Sequence, residues 1–321
     1  MIGKRIKIIN MENKITGLHH ITAIAGNARR NLDFYTRVLG LRLVKKTVNF
    51  DDPGTYHFYY GDEKGSPGSI LTFFPWEGIQ KGRTGTGMAT EIGFSVPANS
   101  LDFWKQRLEE FNVKSLPLTE RFGEQVLPFE DPDGLVLNLV VAKEKDDRKA
   151  WTTGFVNEET AIKGFHSAVL TLRKMEATGR VLTNLLGYRF EAQEDNHYRF
   201  RTDAVQTANI IDIYEEPGRP TGVNAGGTNH HIAFRVKNDE VLMEVREKIL
   251  EAGLHITGKI DRNYFYSLYF REPGGVLFEL ASDNPGFTVD EKLSELGTHL
   301  MLPPQYESSR KRIEEVLPGL A

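Results

Sequence analysis

Apolar and polar positions along the chain fall into short blocks, and the blocks recur in one order: a strand, a helix, then three strands. Residues 17–25 read as a strand, and 28–38 have helical spacing with Leu32, Tyr35 and Leu39 on one side. Strands follow at about 41–50, 55–61 and 68–74. A second unit runs from about 88 to 141 with a helix near 99–111, and the order repeats at about 164–214 and 229–281. In the last unit a helix near 239–252 places Val241, Val245 and Ile249 on one face. The pattern predicts an α+β protein of four βαβββ modules.

Internal similarity groups the modules into two tandem halves. Residues 129–140, Phe-Glu-Asp-Pro-Asp-Gly followed by an apolar strand, recur at 270–281 as Phe-Arg-Glu-Pro-Gly-Gly and its strand. The Pro and Gly residues of both segments suit a turn. Residues 91–96 match 231–236, and Gly17-Leu18-His19-His20 matches Gly164-Phe165-His166. The boundaries that follow are a disordered leader over 1–14, a first domain over 15–142 and a charged linker over 143–160. A second domain covers 161–285 and a tail covers 286–321, with an amphipathic tail helix near Tyr306 to Leu317.

Composition narrows the chemistry. With no cysteine, disulfides, thiolate metal sites and cysteine nucleophiles are excluded, which suits a reducing cytoplasm. The net charge of −4 argues against a nucleic-acid surface, and no run of about 18 apolar residues predicts a membrane span. The pair Lys45-Lys46 reads as a solvated strand edge. The Gly82 to Gly87 segment does not lead from a strand into a helix as a phosphate loop must, and no Gly-x-Ser-x-Gly elbow occurs.

The polar residues in apolar settings carry more information. Glu279 lies within Gly-Val-Leu-Phe-Glu-Leu-Ala, a strand apolar on both faces. A carboxylate buried there needs a cationic partner or a metal; a salt bridge or an exposed edge is the plainer alternative. Its counterpart in the first half is the neutral Asn138. His19-His20 and His230-His231 each open a strand, and neighbouring strand residues point to opposite faces. One histidine of each doublet can therefore face a common point, with the other behind it or on the far side. Two imidazoles and one carboxylate make the facial triad of non-haem Fe(II) oxygenases. His166 opens the equivalent strand of the second half and is a rival ligand. His57 reads as a strand residue, His197, His255 and His299 as surface, and Phe73-Phe74-Pro75-Trp76 as a plug at the end of a module.

Four segments carry a family resemblance: Leu18-His19-His20-Ile21-Thr22, Asn31-Leu32-Asp33-Phe34-Tyr35, His230-His231-Ile232-Ala233-Phe234, and Pro273-Gly274-Gly275-Val276-Leu277-Phe278-Glu279. A loop over Gly222 to Thr228 precedes the third. Asp261-Arg262-Asn263-Tyr264-Phe265, Leu296-Gly297 and Pro303-Pro304-Gln305-Tyr306 add to them. Together they resemble the glyoxalase/vicinal-oxygen-chelate superfamily. Within it, about residues 15 to 310 are similar to bacterial hydroquinone ring-cleaving, extradiol-type dioxygenases, including the quinone-inducible group of Gram-positive species.

The resemblance implies Fe(II), or else Mn(II), held by His20, His231 and Glu279, so that the first module closes a site with the last. It implies His19 and His230 as residues behind the ligands, with Thr22, Arg262 and Tyr269 nearby. For Arg262 a plain surface charge, and for Tyr269 a core position, are the alternatives. The expected substrates are a small aromatic diol and O2, and the family allows a homo-oligomer. Two-domain catechol dioxygenases, which keep all three ligands in the second half, would select His166 instead of His20. A lyase of the glyoxalase I type, with a second glutamate as ligand and Glu91 as its candidate, and a non-catalytic binding protein of the same fold are the rival functions.

Overall fold

The computed structural model describes residues 14–320; the leader predicted over 1–14 lies outside them except for Lys14. The first module is β1 (Ile15–Ala25), α1 (Ala28–Asp33), β2 (Arg42–Asn49), β3 (Asp52–Gly61) and β4 (Ile70–Pro75). The second is β5 (Met88–Ser95), α2 (Leu101–Glu110), β6 (Thr119–Arg121), β7 (Glu124–Glu130) and β8 (Val136–Val141). The third is β9 (Gly164–Leu172), α3 (Glu176–Asn184), β10 (Arg189–Glu194), β11 (His197–Arg201) and β12 (Ile210–Glu215). The fourth is β13 (Thr228–Val236), α4 (Asp239–Glu251), β14 (Ile260–Asp261), β15 (Phe265–Arg271) and β16 (Leu277–Pro285). The four βαβββ modules are thus present in the order the sequence pattern predicts. The helix of the first module is shorter than its spacing suggests, because Phe34–Val38 continues it as a π-helical turn.

The modules pair across the duplication. One eight-stranded sheet has the order β14-β15-β16-β13-β1-β4-β3-β2 and joins module one to module four. The other, β10-β11-β12-β9-β5-β8-β7-β6, joins modules three and two. Each module has its first strand on the outside of its own four, and an unpaired strand edge seeks a partner. Those edges meet as the antiparallel pairs β1/β13 and β5/β9. A module of one half therefore shares its sheet with a module of the other.

The acidic residue ahead of each Pro-x-Gly turn has a structural task. Asp131 Oδ1 accepts from the amides of Asp133 and Leu135, and Glu272 accepts from those of Gly274 and Val276. Gly134 and Gly275 take φ of 92° and 99°, a region that glycine enters without strain. Each carboxylate also reaches the helical segment of the preceding module. Tyr35 donates to Asp131 at 3.0 Å and Thr178 to Glu272 at 2.6 Å. Asp131, pushed up to about 6 by its burial, sits at the seam between modules one and two. One apolar cluster continues through all four modules, including Tyr35, Trp104, Phe165 and Phe234.

The tail crosses module one and ends in α5 (Arg310–Val316), shorter than the stretch expected from the sequence because Pro304–Ser309 forms a 3-10 turn instead. It also corrects the expectation for Lys45. That side chain is fully buried, 2.6 Å from Asp290 Oδ1 and bonded to Glu291. The tail covers the strand edge on which Lys45 sits and supplies the two carboxylates that its charge requires. Farther on, Tyr306 donates to the Phe50 carbonyl at 2.7 Å and holds the β2–β3 turn.

Candidate metal centre

Three adjacent strands, β1, β13 and β16, bring His20, His231 and Glu279 together. Thr22 lies opposite His231 in the β1/β13 pair, and Ala233 lies beside Glu279 in the parallel β13/β16 pair. The ligand-type atoms of the three side chains all lie within 4.8 Å of one another. His20 Nε2 is 3.1 Å and His231 Nε2 2.8 Å from Glu279 Oε2, and the two Nε2 atoms are 3.4 Å apart. All three residues are buried, and Glu279 is completely so.

The donor set fits a divalent cation. Glu279 Oε2 accepts no hydrogen bond, although it is shielded from solvent. A buried carboxylate oxygen without a donor is costly unless a cation takes its charge. Its other oxygen accepts from Ser267 Oγ, which fixes the carboxylate plane. Burial opposes the Glu279 charge, but the positive charge of His20 and His231 in their protonated forms outweighs it and holds the group well below the usual carboxylate range, a place that a bound cation would take over. Burial lowers His231 as well, favouring the neutral imidazole that a metal binds.

Irregularities in the strands decide where the neighbouring histidines go. Along β1, Leu18 and His20 face Phe234 and Ala233, so His19 is an extra residue. Along β13, His231 and Asn229 face Thr22 and Ala23, so His230 is extra. A bulge of this kind re-aims side chains. His19 Nδ1 comes to 3.0 Å from His20 Nδ1, and His230 Nδ1 to 2.7 Å from His231 Nδ1. When the Nε2 atoms of His20 and His231 present lone pairs to a cation, their Nδ1–H groups donate to these neighbours, which fixes tautomer and ring orientation. Burial lowers His19 well below the usual imidazole range and His230 to about 4, so both are neutral acceptors.

A cavity of about 270 Å³ opens in front of the cluster. That is just under the ~300 Å³ lower end of small-molecule sites and suits a single-ring ligand. Thr22, His230, Arg262 and Tyr269 line it, so the structure gathers them around the His20, His231 and Glu279 cluster; His19 opens instead onto a smaller cavity beside Tyr264 and Asp283. Arg262 is partly buried, 3.3 Å from Asp51 Oδ2 and 5.6 Å from the centre of the Tyr269 ring. Burial and the Glu279 charge raise Tyr269, so its phenol stays a proton donor.

Other lining residues escaped the sequence reading. His57, Tyr59, Phe74 and Trp76 all face the cavity, as does the β2–β3 turn at Asn49, Phe50 and Asp51. Of the aromatic run read as a plug, Phe73 enters the core, whereas Phe74 and Trp76 form a cavity wall. A signal was present in the alternation of strand residues: 57 and 59 on β3, and 72 and 74 on β4, point the same way as 20 and 22 on β1.

The rival ligand lies elsewhere. His166 is on β9 in the second sheet, with Nδ1 3.1 Å from Ser167 Oγ and Nε2 3.1 Å from Glu124. The register of that sheet sets Ser167, Glu91 and Asn138 at the places of His20, His231 and Glu279. Glu91 Oε2 accepts from Asn138 Nδ2 at 2.7 Å and Arg121 Nη1 at 3.0 Å. It therefore supplies no second carboxylate, and no fourth ligand, to the cluster, as a glyoxalase I-type site would require.

A sequence profile of the Glyoxalase/Bleomycin resistance protein/Dioxygenase superfamily matches residues 17–139 and 164–280. The chain belongs to this superfamily. It is 46% identical over 308 residues to "Putative ring-cleaving dioxygenase MhqO" of Bacillus subtilis (strain 168), covering 96% of this chain and 97% of that one. It is 33% identical over 314 residues to a chlorohydroquinone/hydroquinone 1,2-dioxygenase of Sphingobium indicum, covering 95% and 97% of the two chains. The crystal structure of a "putative dioxygenase" from Bacillus subtilis superposes with a TM-score of 0.92 at 45% identity, covering 96% of this chain and 98% of that one. Glyoxalase I of Zea mays, at 15% identity and a TM-score of 0.63 over 88% and 97% of the two chains, shares the fold.

Proposed function

We propose that this protein is a ring-cleaving dioxygenase that opens a hydroquinone- or catechol-type ring with O2, using Fe(II), or Mn(II) in its place, held by His20, His231 and Glu279. The observation that carries the proposal is the buried, undonated Oε2 of Glu279 facing two imidazoles at the floor of a ring-sized cavity. The relationship to ring-cleaving dioxygenases over nearly the whole chain supports it.

Bound Fe(II) supplies a positive charge that favours the phenolate form of the substrate, open positions for substrate and O2, and a path for electrons between them. The chain supplies the rest. Phe50, Phe74 and Trp76 enclose the ring and limit water. Arg262 and the protonated phenol of Tyr269 offer stabilisation to negative charge developing on oxygen. His230, neutral at pH 7 and accepting from His231 at Nδ1, carries its own proton on Nε2 and can donate it to negative charge developing on oxygen.

The experiment is oxygen consumption by anaerobically Fe(II)-reconstituted protein, with 2-methylhydroquinone and catechol as substrates and His231→Ala as control. The expected result is uptake that requires Fe(II), substrate and His231. No uptake from protein with metal demonstrably bound would overturn the proposal.

A further inference from the structure

His57 has no task in the mechanism above, yet it stands in the cavity wall with both ring nitrogens engaged. Its ring packs on Phe74 with centroids 4.2 Å apart. Nε2 is 2.9 Å from Thr72 Oγ1, and Nδ1 is 2.9 Å from the Tyr59 hydroxyl. Thr72 Oγ1 is in turn 2.9 Å from Thr22 Oγ1. Four polar groups on three adjacent strands thus form an unbroken line, Tyr59–His57–Thr72–Thr22. Thr72 is wholly buried, whereas Tyr59 and Thr22, the two ends, belong to residues that line the cavity in front of His20 and His231.

With a neutral imidazole the line has two proton arrangements. In one, Tyr59 O–H donates to Nδ1, Nε2–H donates to Thr72, and Thr72 donates to Thr22, whose own proton is directed away from the line. In the other every donor and acceptor is exchanged. A proton arriving at the Tyr59 oxygen from a substrate hydroxyl and another leaving Thr22 for an O2-derived oxygen in the cavity convert the first arrangement into the second. Each hydroxyl is left protonated, the imidazole has changed tautomer, and no charge stays behind. The reverse passage restores the start. Burial favours this neutral form of His57 and raises Tyr59, which remains a donor.

The second sheet provides an internal comparison. His197 occupies the place of His57 and packs on Tyr214 at 4.5 Å, as His57 packs on Phe74. Arg199, Asp212 and Val169 stand at the places of Tyr59, Thr72 and Thr22, so that sheet has no hydroxyl line. The line occurs in the sheet that carries the metal cluster.

We propose that His57 is a proton-relay residue, passing a substrate hydroxyl proton between Tyr59 and Thr22 and back within one turnover. The inference rests on the ring-cleaving reading of the site. Adding O2 to an aromatic diol with ring opening removes no hydrogen, so a proton taken from the substrate must return to the product.

The test has two arms. In metal-free protein, 15N shifts of the His57 ring report which nitrogen carries the proton. Tyr59→Phe and Thr72→Val are expected to redistribute it between Nδ1 and Nε2; unchanged shifts in both variants would overturn the relay. In Fe(II)-loaded protein, His57→Asn is expected to lower kcat by about 10²–10⁴-fold, the range of general acid–base catalysis, with KM and metal content retained. Imidazole in the buffer is expected to restore part of kcat to His57→Gly. A His57→Asn variant with wild-type kcat, or one that loses kcat only in proportion to lost metal and is beyond imidazole rescue in the Gly form, would overturn the relay. Either result in an active wild-type background leaves the ring-cleaving reading standing; a wild type that consumes no O2 removes that reading itself.

Discussion

Glu279→Gln is expected to weaken metal-dependent stabilisation strongly while leaving the metal-free protein folded. The substitution keeps the shape of the side chain, and Ser267 can still donate to the remaining carbonyl oxygen. It removes the negative charge that two neutral imidazoles do not replace. Its amide can donate toward the Nε2 atoms that stand 2.8 and 3.1 Å from the present carboxylate oxygen. The metal-free variant therefore satisfies a buried group that in the wild type accepts no hydrogen bond. A ligand that binds only the folded state adds about 2.7 kcal/mol of stability at a concentration ~100 times its Kd. Wild-type protein titrated with Fe(II) or Mn(II) should show that rise in Tm. The variant should require concentrations higher by more than the 10–100-fold that loss of an outer hydrogen-bond partner typically costs. Full metal loading with normal turnover in Glu279→Gln would remove this residue from the ligand set.

Modules and turn motifs were readable in the sequence because they rest on local signals: period-two alternation, helical spacing, and an acidic residue followed by Pro and Gly. Glu279 was readable because a carboxylate in a strand apolar on both faces is costly. The pairing of module one with module four came only from the resemblance, since strand edges carry no local mark of their partner. The bulges that turn His19 toward His20 and His230 toward His231 depend on the register between β1 and β13, which neither strand specifies alone. Lys45 was misread for a related reason: the carboxylates that let it be buried lie on the tail at Asp290 and Glu291, remote in sequence. His57 looked ordinary because its meaning lies in Thr72 and Tyr59, two residues unremarkable by type.

The two sheets show how one duplicated frame takes two ends. In the first, two imidazoles and a carboxylate converge without an internal cation. In the second, the cation is part of the chain: Arg199 makes paired contacts of 2.9 Å with Asp212 and one of 2.6 Å with Glu124, which also meets His166. The guanidinium fork matches a carboxylate in a way that a metal ion does not require. A module pair can thus meet the cost of buried acids with a covalently attached charge and stay structural, or leave the cation to be supplied and become a site.

Arg199→Leu should accordingly destabilise the protein strongly without changing its metal site. Glu124, Asp212, Arg199 and His166 are all buried, so removing the guanidinium strands two carboxylates away from water. Breaking a buried ion pair by deleting one partner costs about 3–5 kcal/mol, which for a chain of this size lowers Tm by on the order of 10 °C. The pH dependence follows from Glu124. Burial opposes its charge, but His166 and Arg199 outweigh that and lower it to about 2. A carboxylate depressed in the folded state stabilises it above the ordinary pKa of ~4.3, and that contribution is lost as pH falls toward the folded value. The wild type should therefore lose this contribution between about pH 4.5 and 2, and its stability gap over Arg199→Leu should narrow as pH falls from neutrality, measured by urea unfolding. Metal titration of the folded variant should match wild type, because none of these four residues lines the cavity in front of His20, His231 and Glu279. A gap that did not vary with pH would mean that lost packing, rather than stranded charge, sets the cost; altered metal affinity would mean that the second sheet shapes the site in the first.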